Sequence, residues 1–202
     1  MADLEVFLEE PSCEALLRTL LPQILPPRIE VGFRVFNGKA DLLRKLPNRL
    51  RGYTYSVSRP KILIVLDRDD DDCLDLKRRV EESATRSGLL PRSAAPDGSR
   101  HDVCVRIAVE EMEAWLLGDE EALRTAFPRV RPFSGKEKFR DPDDVRGGTW
   151  EALEKLLQDR GYYPSGLSKI NCASEAARHM SPGSNRSDSF RCLVTGVRSP
   201  VP

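Results

Sequence analysis

The chain has 202 residues, of which 40% are hydrophobic and 32% are charged. This composition supports a folded core with a well-solvated surface and excludes a membrane-spanning or fully disordered protein. Thirty-two basic and 32 acidic residues cancel to a formal net charge of zero, which argues against non-specific coating of nucleic acid but leaves room for a local basic patch.

The first predicted elements alternate between strand and helix. The short apolar run at 4–8 predicts a buried strand, and a helix follows with Ser12 as its N-cap and with Pro22, Pro26 and Pro27 as its stop. An alternating pattern at 29–36 predicts a second strand. The basic amphipathic stretch at 39–51 predicts a second helix, although it contains an internal proline.

The same alternation continues through the middle of the chain. The continuous β-branched run at 61–66 is typical of a buried parallel strand. A helix is predicted at 72–88, a loop at 92–100, a further strand at 102–109 and a short helix at 110–117. Strands that alternate with helices in this way predict a mostly parallel, doubly wound α/β sheet.

Strand signals fade after about residue 120. Helices are predicted at 120–127, 149–160 and 168–180, and the segment at 189–197 could be helix or strand. We therefore predict an α/β core at 1–118 and a helical C-terminal extension at 119–202 that packs on it.

The N-terminus has no basic region or apolar stretch typical of a signal peptide, and no segment is long enough to cross a bilayer. Five cysteines form no CxxC pair, and the chain has only two histidines, which argues against a structural zinc site. We expect a cytoplasmic protein with reduced thiols and no membrane association.

Two acidic clusters follow predicted strands. Glu9 and Glu10 come after the first strand, and Asp67 and Asp69 come after the strand at 61–66. The carboxyl ends of parallel strands meet at one edge of a sheet, where binding sites form. Residues two apart in an extended segment point the same way, so we expect Asp67 and Asp69 to project together. Carboxylate oxygens suit Mg²⁺ (or Mn²⁺), and the pattern therefore predicts a metal site.

Structural roles also explain several acidic residues. The aspartates at 70–72 precede a predicted helix, where acidic side chains cap backbone amides and favour the positive end of the helix dipole. Glu110, Glu111 and Glu113 begin another predicted helix, and the same dipole effect explains them about as well as a functional role does.

A second candidate site lies in the C-terminal half. Lys169, Asn185 and Arg186 lie near His179 in sequence and could hold a phosphate of a nucleic acid. The alternative is a solvated surface, which we favour. Basic residues on the predicted helices at 39–51 and 72–88 could follow a nucleic-acid backbone, although charged helix faces mostly serve solvation.

Three acidic segments resemble the toprim family of metal-dependent phosphotransfer proteins. Leu-Glu-Glu-Pro-Ser-Cys-Glu at 8–14 resembles the toprim motif of an apolar residue, Glu and Gly followed by another acidic residue. Leu-Asp-Arg-Asp at 66–69 resembles its Asp-x-Asp. Val-Glu-Glu-Met-Glu-Ala-Trp-Leu-Leu at 109–117 is similar to a segment of the overcoming-lysogenization-defect nucleases. With Asn-Arg-Ser-Asp-Ser-Phe-Arg at 185–191, the chain is most similar to a bacterial family of this type that has no assigned function.

This resemblance implies a toprim-like fold and an Mg²⁺-dependent reaction at a nucleic-acid phosphodiester. It implies that Asp67 and Asp69 are metal ligands, that Glu9 is the general acid/base or a further ligand, and that Glu113 is a supporting carboxylate. One position departs from the motif, because Glu10 replaces a glycine whose small size allows close backbone approach. The Glu10 side chain would either crowd a phosphate or supply a fourth ligand.

The chain contains no G-x-x-x-x-G-K-[ST] motif and is not expected to be an ATPase itself. The resemblance implies a separately encoded ABC- or AAA-type ATPase as partner. The leading hypothesis is an Mg²⁺-dependent toprim-type nuclease acting on DNA or RNA as the effector subunit of an ATPase-partnered bacterial defence system. Two alternatives stay open: a non-catalytic toprim-fold module that regulates a partner ATPase, and phosphotransfer on a small nucleotide.

Overall fold

Four parallel strands form a single sheet within the described residues, which in this computed structural model are 2–55, 59–95 and 100–198. The strands are β1 (Leu4–Leu8), β2 (Val31–Val35), β3 (Lys61–Asp67) and β4 (Val103–Ala108). Their order across the sheet is β2-β1-β3-β4, and all three pairings are parallel. The prediction of a mostly parallel α/β sheet is confirmed.

Helices fill the connections and the C-terminal part of the chain. They are α1 (Pro11–Ile24), α2 (Gly38–Thr54), α3 (Cys73–Arg86), α4 (Glu113–Leu117), α5 (Glu120–Ala126), α6 (Thr149–Gln158), α7 (Lys169–Ala177) and α8 (Asp188–Arg198). No described helix is long and apolar enough to cross a membrane.

The sheet is covered on both faces. Alternate strand residues point to opposite faces, so Phe7 and Ile64 pack against α2 and α3 while Leu8 and Leu63 belong to the other apolar layer. That second layer contains α1 and buried residues of α4 to α8, and α7 packs directly against α1. The sheet is therefore doubly wound, and the C-terminal helices share a hydrophobic core with the first half of the chain.

Prolines lie at the start and in the interior of the first two helices, and α1 ends at Ile24, shortly before Pro26 and Pro27. Pro11 is the first residue of α1, where a missing N–H costs little, so the N-cap is Glu10 and the prediction of Ser12 is wrong. Both α1 and α2 continue through internal prolines, Pro22 and Pro47. Each helix buries a stripe of leucines against the sheet, and this burial outweighs the lost backbone hydrogen bond.

Two predictions near the end of β4 and near the C-terminus need correction. The short helix begins at Glu113 rather than at Glu110, because the Glu110 carbonyl accepts the Asp69 N–H (2.9 Å) and prolongs the pairing of β3 with β4. The segment predicted as helix or strand at 189–197 is helix α8. Of the loop predicted at 92–100, residues 96–99 lie outside the described residues.

Candidate active site at the carboxyl edge of the sheet

The strand order reverses between β1 and β3, and acidic residues lie at that point. The connection from β1 leads to β2 on one side, while β3 and β4 lie on the other. In doubly wound sheets this reversal leaves a crevice at the carboxyl ends of the two central strands. Glu9 directly follows β1 and Asp67 ends β3, so both lie at this position.

Glu9 is held against the end of the neighbouring strand. Its carboxylate accepts a short hydrogen bond from the backbone N–H of Asp67, and only 7% of the residue is exposed. Burial raises the pKa of Glu9 from its usual 4.5 to about 7, in spite of the opposing hydrogen bond from Asp67. Glu9 is thus poised to hold or release a proton near neutral pH.

Asp67 is a second buried carboxyl group in the same crevice. Burial raises its pKa well above the usual range, and the negative charges of Glu9 and Glu113 raise it further. Like charges that disfavour each other's ionisation in this way are characteristic of sites that bind a cation or perform acid–base chemistry.

Glu113 brings a third carboxyl group from α4. The residue is 1% exposed, and burial raises its pKa to about 7 although Lys169 opposes this. Its Oε1 lies 3.1 Å from the Lys169 Nζ, whereas its Oε2 has no hydrogen-bond partner among the described residues. The Lys169 ammonium also lies 4.7 Å from the centroid of the Trp150 ring, and this cation–π contact helps to hold the ammonium in place.

Glu10 and Glu111 lie beside these groups. The charge of Glu10 raises the pKa of Glu9, Asp67 and Glu113, and its Oε1 accepts the Ser12 hydroxyl (2.6 Å). Glu111 accepts hydrogen bonds at the start of α6, from the Thr149 hydroxyl and the Trp150 N–H (3.1 Å each).

Asp69 does not project beside Asp67, and the extended geometry expected for this pair is wrong. The strand ends at Asp67, and Asp69 adopts a left-handed conformation with φ 47°. Its carboxylate lies 2.8 Å from the Lys39 Nζ, and half of its side-chain surface is exposed. A rearrangement of this ion pair would be needed before Asp69 could serve as the predicted metal ligand.

Lys39 is a residue that the sequence interpretation missed. Its Nζ contacts the Arg68 carbonyl (2.9 Å) and the carboxylates of Asp69 and Asp71 (2.8 Å each), and only 15% of its side chain is exposed. It follows β2 and therefore lies at the same edge of the sheet as Glu9 and Asp67. Its position after the predicted second strand was the available signal.

The aspartates that follow Asp69 stabilise structure. Asp72 caps α3 by accepting the backbone N–H groups of Leu74 (3.0 Å) and Asp75 (2.9 Å), which confirms the capping interpretation at this position. Asp71 pairs with Lys39, which lowers the pKa of the Asp71 carboxyl.

Asn185 and Arg186 are engaged in internal hydrogen bonds. Asn185 is 3% exposed and donates to the Trp115 carbonyl (2.7 Å). Arg186 donates to the carbonyls of Leu117 (3.2 Å), Phe139 (3.2 Å) and Arg140 (3.0 Å). These contacts give both residues a structural role and lend no support to phosphate binding, in contrast to Lys169, which lies at the acidic crevice.

The carboxyl groups suit a hard divalent cation in their chemistry but are not closely assembled around one point. Within the described ranges, no three His, Cys, Asp or Glu side chains are arranged to hold a metal ion. The donors nevertheless fit Mg²⁺, because that ion needs only one or two carboxylates besides water and phosphate oxygens. The unpartnered Oε2 of Glu113 and the mutual repulsion of Glu9 and Asp67 are the features that a cation would relieve.

The doubly wound sheet with acidic residues at its switch point defines a toprim-like α/β domain. Its fold is similar to the C-terminal region of the Burkholderia pseudomallei OLD protein, with a TM-score of 0.55, 18% identity and coverage of 100% of both chains. It is also similar to the C-terminal region of the Xanthomonas campestris pv. campestris OLD protein, with a TM-score of 0.52, 13% identity and coverage of 98% of this chain and 95% of that one.

The chain belongs to the DUF4276 family, described as a domain of unknown function, whose model matches residues 8–198. No curated protein matches it. The predicted resemblance to toprim proteins of the overcoming-lysogenization-defect type is therefore confirmed at the level of family and fold.

Proposed function

We propose that this protein is an Mg²⁺-dependent nuclease that cleaves phosphodiesters of DNA or RNA. The observation that carries the proposal is the burial of Glu9, Asp67 and Glu113 around one crevice at the topological switch point, where their pKa values are all raised. Structural frameworks seldom retain several buried carboxyl groups that repel one another, whereas active sites do.

Each group has a distinct role in this proposal. Asp67 and Asp69 would hold the divalent ion, and Glu10 would add a ligand directly or through water. When bound, the ion would act as a Lewis acid on a phosphoryl oxygen. Glu9, whose pKa is about 7, is suited to hold a proton at the reacting phosphate. Glu113 keeps the Lys169 ammonium at the crevice, where it would attract the phosphate.

A partner ATPase is part of the same proposal. The chain lacks a P-loop motif of its own, and its fold is similar to regions that are C-terminal parts of longer OLD proteins. The proposed setting is a bacterial defence system in which a separately encoded ABC- or AAA-type ATPase controls cleavage.

The experiment is cleavage of labelled DNA and tRNA with Mg²⁺ or Mn²⁺, with and without the neighbouring ATPase. Glu9→Gln and Asp67→Asn should lower the cleavage rate by about 100-fold or more. Glu82→Gln, which removes an exposed carboxylate on α3, is the matched control and should leave the rate unchanged. Equal cleavage by Glu9→Gln, Asp67→Asn and the parent would show that these residues are not the active site.

A non-catalytic regulatory module is the alternative, and two observations favour it. Glu10 occupies the position where the toprim motif has glycine, and the Asp69 carboxylate is already paired with Lys39. This alternative predicts no heat of Mg²⁺ binding and full biological effect from Asp67→Ala. Loss of the biological effect in Asp67→Ala, with the fold retained, would exclude it.

A further inference from the structure

The loop between α5 and α6 presents a concentration of positive charge, and we call residues 131–140 the basic loop. Its four basic side chains are all exposed: Arg131, Lys136, Lys138 and Arg140. Together with Glu137, the one acidic residue of this segment, they leave a net charge of +3 in a chain whose total formal charge is zero. The positive charge is confined to this segment, because Asp141, Asp143 and Asp144 follow it directly.

The cations of the basic loop differ from those on α2 and α3 in their pairing. None of the four forms an ion pair with a carboxylate of the described residues, whereas most cations of the two helices do. The helix pairs are Arg44 and Lys45 with Asp41, Lys77 with Glu81, and Arg78 with Asp75 and Glu82. Paired cations offer little net charge to a ligand, so the basic loop is the better anionic-ligand surface.

The backbone of the basic loop is held in place from the inside. Phe133 and Phe139 are buried, with ring centroids 5.1 Å apart in an edge-to-face arrangement. Glu120 accepts the backbone N–H of Phe133 (2.6 Å), and Arg186 donates to the carbonyl of Phe139 (3.2 Å). A fixed backbone lowers the entropy cost of binding an extended ligand.

One helix joins the basic loop to the acidic crevice. Arg186, which fixes the loop at Phe139, also donates to the Leu117 carbonyl at the end of α4 (3.2 Å). Glu113 lies at the beginning of the same helix. Four residues of helix correspond to a rise of about 6 Å, so the Leu117 carbonyl that Arg186 contacts lies about one helical turn from Glu113.

We propose that the basic loop binds the phosphate backbone of the nucleic acid whose cleavage is assigned to the acidic crevice. This inference rests on the proposed function and adds the substrate-binding surface to it. Unpaired ammonium and guanidinium groups position a strand through its phosphates without reading its sequence. Phosphate binding thus falls to the basic loop rather than to Asn185 and Arg186 or to the paired cations of α2 and α3.

The experiment measures binding without a divalent ion, so that cleavage plays no part. Short fluorescent single strands, one of DNA and one of RNA, are titrated in EDTA over a range of KCl concentrations. The loop variant is R131Q/K136Q/K138Q/R140Q, and the matched control R44Q/K45Q/K77Q/R78Q removes the same charge from α2 and α3. Poly-glutamate serves as a competing acidic polypeptide.

We expect the loop variant to bind on the order of tenfold or more weakly than the parent. Each phosphate contact contributes about 0.7 to the slope of log affinity against log salt concentration, so the loss of four contacts should lower this slope by about 3. The control should keep the affinity and the slope of the parent. Equal affinity and slope for the loop variant, an equal loss in the control, or no binding by the parent at low salt would overturn the inference. Stronger binding of poly-glutamate than of the oligonucleotides would assign the loop to an acidic protein and also overturn it.

Two further results separate this inference from the proposed function. If only the loop variant loses binding and no protein cleaves with Mg²⁺, the loop inference stands and the nuclease proposal fails. If the parent cleaves and the loop variant binds as well as the parent, the nuclease proposal stands and the loop inference fails. The four side chains are exposed, so the fold should persist. Should urea unfolding show otherwise, K136Q/K138Q compared with K77Q/R78Q gives the same test with half the charge change.

Discussion

Burial makes ionisation of the carboxyl groups at the crevice costly. Glu9 and Glu113 each have a pKa of about 7, so the folded protein binds more protons than the unfolded chain between about pH 4.5 and 7. The stability associated with these groups is therefore complete below pH 4.5 and is lost as the pH rises through 7.

The first prediction concerns this pH dependence. In metal-free buffer, the free energy of unfolding should fall as the pH rises from 4.5 to 7, by up to about 3 kcal/mol for Glu113 alone. Glu113→Gln should flatten the curve and unfold at higher urea concentration than the parent at pH 8. Urea unfolding at several pH values measures both effects. Identical pH profiles for Glu113→Gln and the parent would contradict the burial of a carboxyl with a raised pKa.

The second prediction concerns Lys39, which holds the loop between β3 and α3. Lys39→Met removes an almost buried ammonium from three oxygen acceptors and should lower the free energy of unfolding by about 2 kcal/mol, as hydrogen bonds to charged groups do. Lys45→Met breaks a partly exposed pair with Asp41 on α2 and should cost less than about 0.5 kcal/mol. Equal losses in the two variants would show that Lys39 is not a special anchor.

The sequence predicted where some residues of the candidate site lie, but not others. Glu9 and Asp67 follow apolar strands, and the rule that parallel strands end at one edge was enough to bring them together. The left-handed conformation of Asp69 was not predictable, because it depends on backbone bonds to β4 and on Lys39, which comes from a distant part of the chain. The internal bonds of Asn185 and Arg186 likewise depend on tertiary contacts.

The elements that surround the crevice are fixed by a polar network at the start of α8. The Ser187 hydroxyl accepts the Phe190 N–H (3.0 Å) and donates to Asp143 (2.7 Å). Ser189 also donates to Asp143 and accepts the indole N–H of Trp115 (2.8 Å). The network joins three parts of the chain: α4, α8 and the loop before α6. It gives the segment Asn-Arg-Ser-Asp-Ser-Phe-Arg a structural role.

The third prediction tests this network as a helix cap. Ser187→Ala removes the hydroxyl that caps the Phe190 N–H at the start of α8 and one hydrogen bond to half-buried Asp143, so it should lower the free energy of unfolding by about 1–2 kcal/mol. Ser168→Ala is a matched control, because Ser168 precedes α7 without a side-chain cap hydrogen bond. Thermal unfolding of both variants measures the difference, and a neutral Ser187→Ala would contradict the capping role.

Among the elements, all four strands were predicted, since their apolar runs are short and are bounded by turn residues. The helix ends were less predictable. Pro22 and Pro47 are strong local signals for an end, but each helix gains more from burying leucines against the sheet than it loses at the proline. Tertiary packing therefore allows both helices to continue past a proline.

At the scale of the whole molecule, the topology of the sheet assembles the residues of the crevice. The strand order β2-β1-β3-β4 places residues from positions 9 and 67 side by side, and the α4 segment adds Glu113 from the neighbouring strand's end. The doubly wound arrangement followed from alternating strands and helices. The shared core of α1 and α7 did not, because amphipathic helices show that a face is buried and not what covers it.

The central claim is that these distant carboxyl groups bind one divalent ion, and calorimetric titration with Mn²⁺ or Mg²⁺ at pH 8 tests it most directly. The parent and the surface control Asp75→Asn should bind the ion, and Glu9→Gln and Asp67→Asn should bind it at least about tenfold more weakly. No binding by the parent, or equal binding by Glu9→Gln, Asp67→Asn and the parent, would contradict the claim.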